Sequence, residues 1–232
     1  MKKIVGLSAG TLFSCLFLFS GELLAATGQA STPPTDSLSK YVKPGASINE
    51  IAPIFSQLFL MSVPGNFRPV YEKENSAGTF YIAESVLAGE STSQWTQMIT
   101  RTGAKGLAAN PNVTPEVAAL DLVNRFDSVC PTSFSKLIFG NMQIGGYDAY
   151  AVVASCGTVS DENGSHSEST LIVQIKGSND YYGAQWAVRG PASAQPMSLK
   201  ESIWRERLQK LQPIKLCPIV PGEQEPYPSC AK

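Results

Sequence analysis

The sequence predicts an α+β protein, a mostly antiparallel sheet with helices packed on it. Three observations carry this. Short runs of alternating apolar and polar residues recur between turn residues, as where Leu171, Val173 and Ile175 alternate with Thr170, Ile172 and Gln174. One segment, Thr114 to Val129, has a helix's cap and period. Strands come in a run, then a helix, then another run and a helix, rather than in strict alternation.

Taken in order, Ile48 to Leu60 has apolar residues at 48, 51, 54, 55, 58 and 59, with Ser47 and Glu50 placed as a capping box. That spacing predicts a helix, short or kinked because Pro53 lies inside it. Phe67 to Tyr71 and Thr79 to Leu87 read as a hairpin, with Phe80, Ile82 and Val86 on one face. Glu90 to Gln94 is a turn, and Trp95 to Gly103 is extended again. In the helix from Thr114, Pro115 takes the first helical position and Glu116 complements the dipole. Val117, Leu120, Val123 and Phe126 mark its apolar side, and Pro131 ends it. Leu137 to Ile144, Tyr147 to Thr158, Ser169 to Lys176 and Tyr181 to Arg189 are four more strands, with a polar loop at Ser160 to Ser167. Ser198 and Glu201 form a second capping box before a final helix reaching Leu211. Its apolar side is Leu199, Ile203, Trp204, Leu208 and Leu211, and Trp95, Trp186 and Trp204 read as core anchors.

The chain start fixes an expected compartment. Lys2 and Lys3 precede an apolar run to Phe19, and small residues gather at Ala25, Ala26, Gly28 and Ala30. This is the layout of a secretory signal peptide, with the cut placed after Ala26 and Ala25 or Ala30 as alternatives, too short and wrongly flanked for a membrane span. Residues 27–45, rich in Ser, Thr and Pro, read as a flexible tether. Residues 46–212 read as one domain, and 213–232 as a Pro-rich tail closed by a disulfide. The expected location is the periplasm or the medium of a bacterium, with no stable membrane span after cleavage. Cys15 sits in a loose lipoprotein box, but Phe13 is bulky for its position and the apolar run continues past the cysteine, which argues against lipid anchoring there.

The chain has 18 basic and 19 acidic side chains. The cut removes Lys2, Lys3 and Glu22 and leaves 16 against 18, with no basic run. Nucleic-acid binding, which rests on neutralising phosphates, is therefore not expected. Cys130, Cys156, Cys217 and Cys230 remain, an even number that reads as two disulfides in an oxidising compartment. Of three pairings, Cys130–Cys156 with Cys217–Cys230 joins residues that local structure can bring together.

The sequence offers no catalytic, metal or cofactor motif. His166, the only histidine, falls in the polar loop and reads as solvated. There is no HExxH, paired CxxC, G-x-S-x-G elbow, Walker loop or dinucleotide fingerprint. Glu72, Glu74, Glu84, Glu90, Asp121 and Asp127 could supply a glycosidase-like pair, or be ordinary surface charge. Two readings are open for the tyrosines. Tyr150 and Tyr181 form an outward interaction surface, or a helix covers that side of the sheet.

The stretch Tyr81 to Val86, the turn Gly89-Glu90-Ser91, Trp95 to Thr100 and the later Lys176 to Tyr182 and Gln185-Trp186-Ala187 resemble small exported bacterial proteins of unknown function. The resemblance covers roughly residues 65 to 212. It implies a Mog1/PsbP-like α/β/α sandwich and a binding or assembly role, and it carries over no catalytic residue. The expectation is a non-catalytic protein without cofactor, whose partner is another envelope protein. A secreted inhibitor of a hydrolase and a carboxylate-dependent hydrolase are the alternatives.

Overall fold

A computed structural model describes residues 45–231. The expected signal peptide, Cys15 and nearly all of the tether lie outside these residues. The fold is α+β, and every strand ladder is antiparallel. A seven-stranded sheet has the order β3-β4-β5-β9-β8-β7-β6, and a three-stranded sheet has the order β1-β2-β10.

The first expected helix is a hairpin instead. β1 (Ser47–Ile54) pairs with β2 (Gln57–Pro64) through a turn in which Phe55 has a positive φ. β2 is buried along nearly its whole length. Its run Leu58-Phe59-Leu60-Met61 reads as a strand covered on both faces, a pattern that short apolar runs share with helices. Pro53 fits because β1 is an edge strand, where a missing N–H is tolerated. The seven-stranded sheet follows with β3 (Phe67–Glu74), β4 (Phe80–Leu87) and β5 (Gln97–Ala104).

α1 (Pro115–Val129) is the helix the sequence predicts, and the Thr114 side chain accepts a hydrogen bond from the Val117 N–H at 3.2 Å. Its buried face is Ala119, Val123 and Phe126, while Val117 is 49% exposed. The expected stripe, spaced at threes, drifts around a helix of 3.6 residues per turn.

β6 (Phe134–Ile144), β7 (Tyr147–Asp161), β8 (Gly164–Lys176) and β9 (Tyr181–Pro191) complete the sheet. The expected loop at 160–167 is mostly strand, because β7 and β8 stay paired as far as Asp161 and Gly164. α2 (Glu201–Lys210) has Lys200 at its N-cap without a side-chain bond, so the Ser198 capping box does not form. Of its expected apolar side, Trp204 and Leu211 are buried but Ile203 is exposed. β10 (Lys215–Pro218) adds to β2, and α3 (Pro228–Ala231) packs near it. Both expected disulfides form, Cys130–Cys156 and Cys217–Cys230.

One face of the large sheet packs its Ile99, Val153, Val173 and Tyr182 against Phe59 and Met61 of β2 and against Trp204 and Leu211. The other face packs Tyr150, Val152 and Ile172 against Ala119, Val123 and Phe126 of α1. α1 packs mainly on β6, β7 and β8. The same side of β4, β5 and β9 is left to smaller contacts, among them Trp95 against Val86, Met98 and Ala187.

Candidate functional site

Residues directly opposite one another in antiparallel strands share a face. Registers therefore place polar side chains in rows on the α1 side of the sheet. Tyr71, Glu84, Thr100 and Gln185 are successive partners across β3, β4, β5 and β9. In the adjoining row Thr102, Gly183 and Gln174 are partners across β5, β9 and β8. Burying such a stripe instead of apolar residues costs free energy unless its groups are hydrogen-bonded.

Glu84 is the one carboxylate in that row, 8% exposed, though its oxygens are not among the fully buried atoms without a partner. Burial raises its pKa, the Arg189 charge works against that shift, and Glu168 adds to it. Arg189 is committed elsewhere. Its Nε donates to Glu168 Oε2 at 3.0 Å and its Nη1 lies 3.5 Å from Asp161 Oδ2. Its guanidinium stacks 3.9 Å from the centre of the Trp95 ring. Trp95 is thus an aromatic lid on Arg189 as well as a packing residue.

His166 is not solvated as expected. The long β7–β8 pairing carries it into strand, where Nδ1 lies 3.9 Å from Asp161 and Nε2 lies 3.6 Å from Glu168. Nε2 is buried without a hydrogen-bond partner. Thr170 Oγ1, on the same face, is likewise buried and unpartnered. The sequence contains all these residues, but nothing in their spacing joins positions 84, 161, 168 and 189, which only strand order brings together.

Gly183 lets the stripe form. A Cβ there would press on Thr102 Oγ1 and lie 3.0 Å from Gln174 Nε2. Gly183→Ala is expected to cost about 2 kcal/mol through overpacking. A urea unfolding midpoint unchanged from the parent would refute this close approach.

Tyr150 and Tyr181 do not form an outward surface. They are 3% and 2% exposed, and the helix that the alternative reading expected covers Tyr150. Tyr150 packs under α1, where burial and the charge and hydrogen bond of Glu116 raise its pKa. The Tyr181 hydroxyl donates to the Val113 carbonyl. Its pKa is pushed up to about 12 by burial and then by Asp148. Cys130, Cys156, Cys217 and Cys230 serve as crosslinks. No group of three or more His, Cys, Asp or Glu fit to hold a metal occurs among the described residues.

No family model matches the chain. No curated protein matches it either. Among solved structures, the chain is similar to a protein from Bacteroides thetaiotaomicron VPI-5482, at 15% identity and a TM-score of 0.38. That likeness covers 78% of this chain and 51% of the other, so this chain spans about half of that one. It is also similar to LpqN of Mycobacterium tuberculosis, described as involved in cell envelope biogenesis, at 10% identity and a TM-score of 0.36. There the coverage is 80% of this chain and 100% of LpqN. At such low similarity nothing known of either protein transfers to this chain.

Proposed function

We propose that this is a non-catalytic, exported bacterial protein that binds another envelope protein on the α1 side of its seven-stranded sheet. The observation that carries the reading is a row of hydrogen-bonding side chains on that side of the sheet, with Thr170 Oγ1 and His166 Nε2 on the same face buried and without a hydrogen-bond partner. A folded chain gains nothing by leaving such groups unsatisfied, whereas a partner that supplies hydrogen bonds recovers the cost. The signal-peptide layout and the two disulfides support an extracytoplasmic place. A Mog1/PsbP-like architecture belongs to the same reading.

The test is site-specific photocrosslinking in the native envelope, with the photoreactive residue at Gln185 or, as control, at exposed Ile203 on α2. A discrete adduct at 185 and none at 203 is expected. Adducts at neither site, or only at 203, would remove this face as the binding surface. One observation favours the carboxylate hydrolase as a second reading: Glu84, held toward its protonated form, feels the charge of Glu168. Hydrolysis of cell-wall glycan by the purified protein, lost in Glu84→Gln, would replace the non-catalytic reading with that one.

A further inference from the structure

We propose that the turn between β7 and β8 is a site of spontaneous covalent modification, at which water replaces the side-chain amide of Asn163. Asn163-Gly164 is the only Asn-Gly pair in the chain. Both residues are exposed, and the Asn163 side chain makes no hydrogen bond among the described residues. Its backbone N–H donates to Asp161 Oδ1 at 2.8 Å, so the turn is held while the amide is free. Gly164 has a φ of 118°, and a Cβ built there would meet nothing within 4 Å. Its nitrogen therefore has an open side and no side chain of its own to shield it. Asn75, in the turn between β3 and β4, is the contrast. Its Oδ1 accepts from the Thr79 and Phe80 N–H groups at 2.8 and 3.1 Å, which ties its amide down.

The step needs no oxidant and only water as co-reactant. The Gly164 nitrogen attacks Asn163 Cγ and a C–N bond forms. The Cγ–Nδ2 bond breaks, and ammonia leaves with the proton that the Gly164 nitrogen gives up. Water then opens the cyclic imide at either carbonyl. One opening gives aspartate, and the other gives isoaspartate, whose Cβ has joined the main chain. Base takes the Gly164 proton in the first step, so the rate rises with pH. Asp161 and Gly164 are the last pair of the β7–β8 ladder, and a terminal pair opens more readily than one inside a strand. Aspartate would add a carboxylate close in sequence to Asp161, whose Oδ2 lies 3.5 Å from Arg189 and 3.9 Å from His166. Isoaspartate lengthens the tight connection on which the hairpin's register depends. It loosens the tip, where the Ser160 and Ser165 hydroxyls lie 2.8 Å apart. None of this depends on the binding face.

The test holds the whole folded protein at pH 6 and at pH 8 and maps its peptides at intervals. The peptide with Asn163 is expected to give two products that share the mass gain of one amide-to-acid change and elute apart. Labelling by an isoaspartate-specific methyltransferase identifies one of them. Asn163 should convert about tenfold faster than Asn141, which is exposed on β6 and precedes Met142, a barrier lower by about 1.4 kcal/mol. Conversion should be faster at pH 8. Hydrogen exchange of the aged protein should speed up over 159–168 and stay unchanged in β3 and β4. Asn163→Gln should fold alike and keep its mass through the same incubation. Conversion of Asn163 only in urea, or no faster than that of Asn141, overturns the proposal. Conversion that leaves exchange at the turn unchanged confirms the site and refutes the loosening of the hairpin.

Discussion

Replacing Asp180 by Asn is expected to lower stability at pH 7 by about 3 kcal/mol, among the largest effects of any polar substitution in the chain. Asp180 lies just before β9, 2% exposed, and its carboxylate holds three parts of the fold together. Oδ2 accepts from the Ser56 N–H at 3.0 Å, from the Ser56 hydroxyl, and from the Tyr182 hydroxyl at 3.3 Å. Oδ1 accepts from the Gly106 N–H at 2.7 Å. The β1–β2 turn, the segment after β5 and the start of β9 thus meet on one side chain. An amide in its place keeps one acceptor and turns an NH₂ group toward donors, so several buried N–H and O–H groups lose their partner.

The same site gives a pH signature. Burial by itself pulls the Asp180 carboxyl up, but the bonds from Ser56, Gly106 and Tyr182 outweigh it and hold the pKa below the ordinary value. A depressed folded-state pKa means that the carboxylate's contribution is complete above the unfolded-state value of about 3.9 and is lost as pH falls through the folded-state value. Urea unfolding at pH 7 and pH 3 checks this. The gap between parent and Asp180→Asn should be largest at pH 7 and narrow at pH 3. A gap under about 1 kcal/mol at pH 7 would show that the donors find other acceptors.

Replacing both Cys130 and Cys156 by Ala is expected to cost about 4 kcal/mol, about 3.5 kcal/mol as the chain-entropy value for a crosslink of this span and the rest the partial loss of two buried side chains. The bond does more than shorten the unfolded chain. Cys130 caps the C-terminus of α1, and Cys156 lies on β7 in the cluster that the helix covers. Without it, the last turn of α1 keeps only its packing against the sheet. Hydrogen exchange should speed up first in the C-terminal half of α1, ahead of β7 and β8. Uniform acceleration across the sheet instead would mean that the bond acts on the unfolded chain alone.

The sequence was readable where one local rule had no competitor. α1 was legible because Thr114, Pro115 and Glu116 put a cap, a preset φ and a matching charge at a single boundary. β8 and β9 were legible from their alternation. Ile48 to Leu60 was not, because apolar residues at 51, 54, 55 and 58 fit a helix's face as well as two strands, and only burial between other layers selects the hairpin. The Ser198 capping box failed for a related reason, since the chain enters α2 later, at Lys200. His166 was misplaced because a polar sequence marks a turn but does not say how far strands extend into it.

From its own order of residues the chain determined its antiparallel α+β class, α1 and the pairing of Cys130, Cys156, Cys217 and Cys230, because each rests on groups close along the backbone or on a short menu of partners. The polar face was a different matter. Glu84, Thr100 and Gln185 share a row only because β4, β5 and β9 are neighbours, and Arg189 is drawn from Glu84 only because β7 and β8 bring Asp161 and Glu168 to it. Positions 84, 161 and 189 lie far apart in the chain, and which charges meet on that face is a property of the space around them. That space is set by tertiary packing.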